Sequence, residues 1–350
     1  MKKMKKIHKN IILMTILIVA GVLIFMFLKI NNKDLNKNIL IKEENNQTQT
    51  SLLKIGFITD AHCYANLNKD TGEWKLNWRC EKPLEAFVDR MNNIFNPDFV
   101  IENGDFIDGK DDRSQETFVE ALNFYNQVKA PKYHVLGNHE TRGFIKKTWL
   151  DLVGYEKPYY YFDMNGYRII VLDGNNKPAE EGESFNTSPE NEFYPGFIDP
   201  VQMIWLENLL LESKEYQKVV FVHQPLIIEE KKTQDELFIG GMELRDLFSK
   251  NKVRAVFSGH TERFCYLNEN GVDYYVSQGF WKANRGLKKE YQFKDDGVFS
   301  EILIDNDDVN VVSYYNPEMN SKSDSEYQSF ELVPEEMSCL DGKKIAEDDD

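Results

Sequence analysis

Short apolar runs that alternate with helical patterns are the feature of this chain that most restricts its fold. Five runs have the length and the β-branched content of buried strands, and they span residues 54–59, 99–103, 132–136, 218–222 and 253–258. The segments between them that carry apolar residues at helical spacing are 83–94, 115–128, 201–211 and 242–248. This alternation predicts an α/β fold with helices covering the faces of the sheets.

Other strands are expected in antiparallel pairs. Asn165-Gly166 is a strong hairpin signal, and it separates apolar runs at 159–164 and 167–172. The last third of the chain adds expected strands at 272–276, 299–304 and 309–314. The long polar segments 173–199 and 281–296 are expected to be loops that contact substrate.

The N-terminus combines positive charge with a long apolar run. Residues 1–10 contain five lysines, and residues 11–28 carry no charge over a length that can span a membrane. We therefore predict a basic cytoplasmic leader at 1–10 and a transmembrane signal anchor at 11–30, which would leave the folded domain outside the membrane. A cleaved signal peptide is the competing interpretation, but the run is long for one, and no convincing cleavage site precedes Lys29.

The rest of the chain divides by composition. Residues 31–50 are rich in Asn, Gln and Lys and are interpreted as a polar linker, and residues 333–350 as an acidic tail. Residues 51–332 are predicted to form one domain, since single cores stop growing near ~250–300 residues. The formal charge of -16 argues against a nucleic-acid polymer as the main partner, because phosphate backbones bind to patches of Lys and Arg.

The four cysteines are scattered and form no CxxC pair; they are Cys63, Cys80, Cys265 and Cys339. Cys63 and Cys265 each lie close to a motif described below, so a disulfide between them is one interpretation for a domain outside the cell. Buried free thiols are the interpretation that we favour. Neither implies thiol catalysis.

Polar residues of the kinds that bind metals follow the five strand-like runs. In chain order they are Asp60, His62, Asp105, Asp108, Asn138, His139, Glu140, His223 and His260. In open α/β sheets ligands bind beyond the carboxyl ends of the strands, so these side chains are expected to converge. Of the other histidines, His8 lies in the basic leader and His134 inside a strand, and neither is assigned to the site.

This mixture of imidazole, carboxylate and amide oxygen suits divalent metals such as Mn, Fe or Zn. Two metals need a shared ligand, and Asp105 is the natural bridge. Metals roughly 3.5–4 Å apart can hold a hydroxide between them and neutralise the oxygens of a phosphoryl group during an in-line displacement. The sequence therefore predicts phosphoester hydrolysis at a binuclear centre, with a metal-bridging hydroxide as nucleophile.

The ordered motifs D-x-H, G-D-x-x-D, G-N-H-[DE], a lone His and a final G-H resemble those of the calcineurin-like metallophosphoesterase superfamily. They lie at residues 60–62, 104–108, 137–140, 223 and 259–262. The resemblance implies a four-layer αββα sandwich with mixed sheets and a site at the sheet edges. It implies one metal held by Asp60, His62 and Asp105, and a second held by Asp105, Asn138, His223 and His260.

The last motif departs from the superfamily pattern, because Glu262 stands where a second histidine normally binds the first metal. Glutamate is a harder, negatively charged ligand, which would favour Mn or Fe(II) over softer ions. The sequence leaves two roles open for Glu262, direct ligation or a position away from the metal. The identity of the metals therefore also stays open.

Three residues beside the ligands are assigned to catalysis. His139 is free to donate a proton to the leaving oxygen or to stabilise developing charge, as the resemblance also implies. Asp108 would orient His139 or a ligand. Arg142 follows His139 at the spacing seen in the related phosphoprotein phosphatases, where the arginine contacts phosphate.

The segment 159–173, followed by Gly196-Phe197, Gln202 and Trp205-Leu206, resembles the branch of cyclic-nucleotide phosphodiesterases and nucleotide diphosphatases. We therefore expect a phosphodiesterase, with a phosphomonoesterase on the same metal core as the alternative. A catalytically weakened module that binds metal or ligand is a second alternative, and Glu262 is the feature that favours it. The expected partners are a phosphoester substrate and, through the N-terminal helix, a membrane.

Overall fold

The computed structural model describes residues 51–110, 112–178, 195–227, 238–262, 264–280, 297–316 and 327–331. The strands are β1 (Leu53–Ile58), β2 (Ala65–Leu67), β3 (Trp74–Leu76), β4 (Phe99–Glu102), β5 (Lys132–His134), β6 (Tyr160–Met164), β7 (Tyr167–Leu172), β8 (Gly196–Phe197), β9 (Gln217–Val222), β10 (Phe238–Ile239), β11 (Val253–Ser258), β12 (Cys265–Glu269), β13 (Val272–Val276), β14 (Phe299–Ile304), β15 (Val309–Tyr315) and β16 (Gln328–Glu331). The helices are α1 (Trp78–Arg90), α2 (Ser114–Tyr125), α3 (Asn138–Gly143), α4 (Lys146–Val153), α5 (Pro200–Glu212) and α6 (Gly241–Lys250), and a π-helical turn at Met91–Phe95 continues α1.

Two mixed six-stranded sheets form the centre of the fold. The first has the order β16-β15-β14-β1-β4-β5, in which β1, β4 and β5 are parallel and β14, β15 and β16 pair antiparallel. The second has the order β12-β13-β11-β9-β7-β6, in which β13, β11, β9 and β7 are parallel and the two outer strands are antiparallel. The parallel strands of each sheet therefore end at a common edge.

Alternate side chains of the central strands pack into different layers. In β4, Phe99 and Ile101 face a cluster between the two sheets, whereas Val100 packs with residues of α1 and α2. In β9, Phe221 faces the same central cluster, whereas Val220 packs with residues of α5 and α6. Because the side chains of a strand alternate between its faces, each sheet is covered on both sides. The layers run helix, sheet, sheet, helix, which confirms the predicted αββα sandwich.

Local sequence signals explain where two of the outer helices begin. Asn77 accepts a hydrogen bond of 2.9 Å from the backbone N–H of Arg79 and so caps α1. Asp199 accepts one of 2.9 Å from the N–H of Val201, and Pro200 occupies the first position of α5. Each cap satisfies a backbone donor that the first helical turn leaves without a partner.

The structure contains elements that the sequence analysis does not predict. They are the hairpin β2–β3, the short helices α3 and α4, the short parallel pair β8–β10, and the strands β12 and β16. In addition, α1 begins before the predicted segment 83–94, because Asn77 supplies the cap and Pro83 lies inside the helix. All the predicted strands are present, and their boundaries agree with the prediction to within two residues.

Several predicted segments lie outside the described residues. They are the leader 1–10, the anchor 11–30, the linker 31–50, the loop 281–296, the tail 333–350 and the part of the loop 173–199 between residues 179 and 194. Within the ranges that the structure describes, none of the helices combines the length and the hydropathy of a membrane span. The domain boundaries stay predictions.

Candidate active site

The predicted site residues lie where the parallel strands of the two sheets end. In the first sheet, Asp60 and His62 follow β1, Asp105 and Asp108 follow β4, and α3 begins with Asn138 and His139 after β5 and also carries Arg142. In the second sheet, His223 follows β9, and His260 and Glu262 follow β11. The N–H of His260 donates to both carboxylate oxygens of Asp60, 200 residues away, at 3.0 and 2.9 Å. The two edges therefore meet at one place.

Several of these residues hold the backbone in the left-handed region, which residues other than glycine rarely adopt. The φ angles are 50° at Asp60, 43° at His62, 54° at Asp105, 69° at His260 and 53° at Glu262. This conformation costs roughly 1–2 kcal/mol per residue. It persists where the surrounding structure enforces it, often at functional sites. Glu262 thus shares its backbone conformation with residues that are predicted to bind metal.

One cluster of potential ligand atoms combines His62, Asp105 and His139, whose atoms lie within 4.8 Å of one another. Glu262 lies beside this cluster, with its Oε1 3.3 Å from Nε2 of His62. Oδ1 of Asp60 lies 3.8 Å from the same nitrogen. Among the described residues, neither ring nitrogen of the buried His62 has a hydrogen-bond partner. Buried polar atoms normally have a hydrogen-bond partner, so the unpartnered nitrogens of His62 are suited to binding a ligand such as a metal ion.

A second cluster combines Asp105, His223 and His260. Oδ2 of Asp105 lies 3.1 Å from Nε2 of His223. Oδ1 of Asn138 lies 3.2 Å from that nitrogen and 2.9 Å from Nδ1 of His260. Nδ1 of His223 contacts the carbonyl oxygen of Asn103 at 2.8 Å, which turns Nε2 toward the cluster. Asp105 belongs to both clusters, which is where a bridging ligand has to be.

Two glycines allow the loops of the site to approach each other. A Cβ atom on Gly137 would overlap the backbone nitrogen of Asp105, and one on Gly259 would overlap the side chains of Thr59 and Asp60. The hydroxyl of Thr59 donates to Oδ2 of Asp60 at 2.6 Å and fixes that carboxylate. Glycine at these two positions is therefore required by close packing between motifs.

Glu140 holds two of the motifs together from inside. Its carboxylate accepts hydrogen bonds from the N–H groups of Gly137, Asp105 and Ile107 at 2.9, 3.0 and 3.1 Å. Burial, with the charge of Asp105, raises the pKa of Glu140 to about 8, and the N–H donors offset part of that rise. The motif that contains Glu140 suggests no role for it, whereas its hydrogen bonds make it a brace for the loop that carries Asp105.

His139 has two differently engaged ring nitrogens. Its Nδ1 lies 2.8 Å from the carbonyl oxygen of Asp108 and 3.5 Å from the Asp108 carboxylate. Its Nε2 lies 3.8 Å from Oδ2 of Asp105. Burial lowers the pKa of His139, but Asp105 and Asp108 outweigh burial and raise it overall. The Asp108 carbonyl requires a proton on Nδ1, and the carboxylates favour a second proton on Nε2.

Arg142 connects His139 to an open cavity. Its Nη1 lies 3.5 Å from Nδ1 of His139, and its side chain lines a cavity of about 820 Å³. Lys110 and Phe144 line the same cavity, and Nζ of Lys110 donates to Oδ1 of Asp108 at 2.9 Å. Of the residues assigned to the site, Arg142 lines this cavity, so the cavity opens on the side of His139 where Arg142 lies.

The buried carboxylates of the site require positive charge nearby. Burial raises the pKa of Asp105, but His139 and His223 outweigh burial and hold it well below its ordinary value. Burial lowers the pKa of His223, but Asp105 and Asp60 raise it to about 10. The pKa of Asp60 is raised by its burial and by Asp105. An arrangement of buried acids and imidazoles with free ligand atoms suits divalent cations of the Mn, Fe or Zn type, so the residues fit a pair of metals.

The sequence does not reveal that Glu102 and His134 form a buried pair beneath the site. Oε2 of Glu102 lies 3.3 Å from Nδ1 of His134, and its Oε1 accepts the N–H of Gly104 at 2.6 Å. Burial raises the pKa of Glu102 well above its ordinary value and lowers that of His134 to about 3. Burial thus favours the neutral form of both groups, and His134 is a core residue that is paired with Glu102.

Glu102→Gln is expected to raise the free energy of unfolding of the metal-free protein by about 1 kcal/mol or more near pH 8. Because the folded pKa is raised, folding takes up a proton above the ordinary value of 4.5, so the carboxyl loses stability as the pH rises. Glutamine takes up no proton and can keep both hydrogen bonds. Denaturant titrations near pH 4 and pH 8 test this, and an equal effect at both pH values would contradict it.

The cysteines pair differently from either interpretation of the sequence. Cys63 is bonded to Cys80, with the Cα atoms 5.2 Å apart, so the expectation of free thiols and the pairing of Cys63 with Cys265 are both wrong. No cysteine among the described residues has a free thiol. The physical reason is that the start of α1 packs directly against the loop after β1, which brings Cys80 to Cys63.

Comparison with known proteins gives the same assignment as the geometry. The family model described as Calcineurin-like phosphoesterase matches residues 53–264, which is more than half of the chain. Tartrate-resistant acid phosphatase type 5 from Sus scrofa is 26% identical over 204 residues, which are 51% of this chain and 57% of that protein. The chain thus spans a little over half the length of this relative.

Two solved structures share the fold at low sequence identity. A dimetal phosphatase from Danio rerio has a TM-score of 0.57 and 15% identity, with 80% of this chain and 99% of that chain covered. A purple acid phosphatase from yellow lupin (Lupinus luteus) seeds has a TM-score of 0.50 and 14% identity, with 81% and 54% covered. Together with the matched family, these findings show that the chain belongs to the calcineurin-like phosphoesterases, a family of dimetal-dependent phosphoester hydrolases.

Proposed function

We propose that the chain hydrolyses phosphoesters at a binuclear metal site. Four residues would hold the first metal, namely Asp60, His62, Asp105 and Glu262. Four would hold the second, namely Asp105, Asn138, His223 and His260. The observation that carries the proposal is the overlap of the two clusters of ligand atoms at Asp105. When bound, such metals lower the pKa of water and neutralise the charge on phosphoryl oxygens.

The remaining steps belong to side chains of this chain. His139 donates the proton on Nε2 to the leaving oxygen, while the carbonyl of Asp108 holds Nδ1–H and fixes the ring. Arg142 binds a phosphoryl oxygen from the side of the cavity, where its guanidinium is next to His139. Glu140 keeps the loops of Asp105 and Asn138 at a fixed separation. No covalent phosphoenzyme is required.

Two observations support ligation by Glu262. Its carboxylate lies 3.3 Å from Nε2 of His62, which has no hydrogen-bond partner among the described residues. Its φ of 53° is unfavourable for glutamate, yet matches the conformation of Asp60, His62 and His260. Such a conformation persists where the surrounding structure enforces it, and at Glu262 that surrounding structure is the loop that also carries His260, which is consistent with a role at the first metal.

Glu262→His is expected to raise the ratio of activity with Zn to activity with Mn by about tenfold, because a neutral imidazole is a softer ligand than a carboxylate. Rates and metal content across a series of metals test this in both proteins. Glu262→Gly is the matched control, since glycine accepts the positive φ and removes the carboxylate. This variant should bind the first metal more weakly while the fold stays stable. An unchanged metal series in both variants would remove Glu262 from the ligands.

We further propose a phosphodiesterase as the activity. The cavity of about 820 Å³ beside Arg142 leaves room for a second ester group, and the segment 159–173 resembles the phosphodiesterase branch. A phosphomonoesterase is the second candidate, favoured by the 26% identity to tartrate-resistant acid phosphatase. The two activities use the same metal core and differ in the loops around it.

A parallel assay of p-nitrophenyl phosphate and bis-p-nitrophenyl phosphate with Mn, Zn and Fe(II) tests the proposal. A higher kcat/KM on the diester supports the phosphodiesterase, and a higher value on the monoester supports the second candidate. A protein that binds two metals and hydrolyses neither ester would indicate a binding module instead. A protein that binds no metal would contradict the binuclear site.

We also propose that the folded domain lies outside a membrane. It is supported by the apolar run at 11–28 after a lysine-rich leader, and by the Cys63–Cys80 disulfide, since such bonds are rare in the cytosol. Protease treatment of intact cells, followed by fractionation, tests both parts. Protein that stays protected from protease, or that is recovered without the membrane, would contradict the corresponding part.

A further inference from the structure

The disulfide between Cys63 and Cys80 lies next to the loop of the first metal. Cys63 directly follows His62, and Cys80 lies in the first turn of α1. Both cysteines are buried, with 1% of their surface exposed. The helix is itself fixed in the outer core through Leu84 and Phe87, which are fully buried. The bond therefore joins the loop that carries His62 to a firmly packed helix.

Cys63 is also a junction of backbone hydrogen bonds. The N–H groups of His62 and Cys63 donate to the carbonyl oxygens of Asp105 and Phe106, both at 2.9 Å. The N–H of Asp108 donates to the carbonyl oxygen of Cys63 at 3.0 Å. These contacts extend the parallel pairing of β1 with β4 into the site. A displacement of Cys63 would therefore be transmitted to the backbone of both metal-binding loops.

The side chain of His62 has less support than the other histidines of the site. Its ring nitrogens have no hydrogen-bond partner in the described part of the chain, and its backbone is left-handed. By contrast, Nδ1 of His223 contacts the carbonyl of Asn103, and Nδ1 of His139 contacts the carbonyl of Asp108, both at 2.8 Å. The direction of His62 thus depends on the backbone on its two sides, which β1 fixes before it and Cys63 after it.

We infer that the Cys63–Cys80 disulfide positions His62 for the first metal. Loss of the bond therefore weakens the binding of the first metal and leaves the binding of the second unchanged. The inference rests on the proposed function, from which it takes the assignment of ligands. Three ligands of the second metal follow β5, β9 and β11, none of which the disulfide joins. The shared ligand Asp105 is held independently of the bond, because its N–H donates to the carboxylate of Glu140 at 3.0 Å. Loss of groups that support a ligand typically lowers metal affinity 10–100-fold. We expect loss of the bond to lower the affinity for the first metal at least about tenfold and the affinity for the second less than about twofold.

Calorimetric titration of Mn²⁺ into the full-length protein and into the double variant C63A/C80A tests the inference. Replacing both cysteines avoids a lone thiol that would itself bind metal. One of two binding events is expected to weaken in the double variant. Leu209→Ala is the control, since it removes a buried side chain from α5, in a different core cluster from Cys63 and Cys80, and both affinities should stay unchanged.

The outcomes separate the inference from the proposed function. Two binding events of wild-type affinity in C63A/C80A would overturn the inference and assign the bond to stability alone. Equal weakening of both events, or the same weakening in Leu209→Ala, would overturn it as well. A wild-type protein that binds no Mn²⁺ would contradict the proposed function itself.

Thermodynamic linkage supplies a second measurement, which needs no variant. Two glutathione molecules reduce the bond to two thiols and leave as one glutathione disulfide, so a glutathione buffer sets the equilibrium. If the disulfide raises the affinity for the first metal tenfold, saturating Mn²⁺ must shift this equilibrium tenfold toward the oxidised, disulfide-bonded state. Alkylation and mass analysis of the peptides with Cys63 and Cys80 measure the shift. An oxidised fraction that does not depend on Mn²⁺ would overturn the inference, even if the double variant fails to fold.

Discussion

Asp105→Asn is expected to lower kcat/KM by about 1,000-fold or more and to reduce the bound metal to one ion or none. Asp105 belongs to both clusters of ligand atoms, and its Oδ2 lies 3.1 Å from Nε2 of His223. An amide cannot supply the negative charge that a bridge between two cations requires. Metal content and initial rates on the preferred aryl ester measure the two effects.

The local geometry makes this substitution conservative for the fold. Oδ1 of Asp105 accepts the N–H of His139 at 2.8 Å, and an asparagine oxygen can accept the same bond. Asp89→Asn makes the same change of charge at an exposed position of α1 and should leave metal content and rates unchanged. Two metals per chain and normal turnover in Asp105→Asn would contradict the binuclear site.

The layered fold could be predicted because strand periodicity and strand-end chemistry are local signals. The run at 253–258 is apolar enough to be buried on both faces, and the structure places it as β11 inside the second sheet. The hairpin at Asn165-Gly166 is present, with positive φ at both residues. The same signal recurs at Asn270-Gly271, again with positive φ, and joins β12 to β13. The Asn-Gly rule therefore also predicts the strand β12.

Other elements give no periodic signal, for physical reasons. α3 consists of polar residues such as Asn138 and His139, which belong to the site, so the helix has no apolar stripe that a sequence pattern could reveal. In α4, Trp149 is the one residue that is fully buried, so its pattern is too short to stand out. The hairpin β2–β3 has three residues per strand, below the length at which alternation is informative.

The site could be predicted as a set of residues but not as a structure. Sequence order shows which polar residues follow strands, and the topology explains why they meet. It does not show that Glu140 braces the loop of Asp105, nor that Glu102 and His134 pair beneath it, because these contacts join residues 35 and 32 positions apart in the chain. The pairing of Cys63 with Cys80 has the same origin, since four cysteines allow several connectivities and spacing alone selects none.

His139→Ala is expected to lower kcat by about 10²–10⁴-fold while two metals stay bound, because we assign His139 to proton transfer and not to ligation. Its Nδ1 is engaged by the carbonyl of Asp108, and its Nε2 lies 3.8 Å from Oδ2 of Asp105. The loss should be larger for esters of poor leaving groups, such as alkyl phosphates, than for p-nitrophenyl esters, since p-nitrophenolate needs little protonation. Rates across a series of leaving groups measure this difference.

Asp108→Asn is the matched variant for His139→Ala. The contact of His139 with the backbone carbonyl of Asp108 would remain, and the contact of 3.5 Å with its carboxylate would be replaced by one with a neutral amide. We therefore expect a smaller loss of kcat with the same dependence on the leaving group. The geometry also admits His139 as a ligand, since it lies in one cluster with His62 and Asp105. If His139→Ala loses a metal, and its rate falls equally for all leaving groups, His139 is a ligand and the proton donor has to be sought elsewhere.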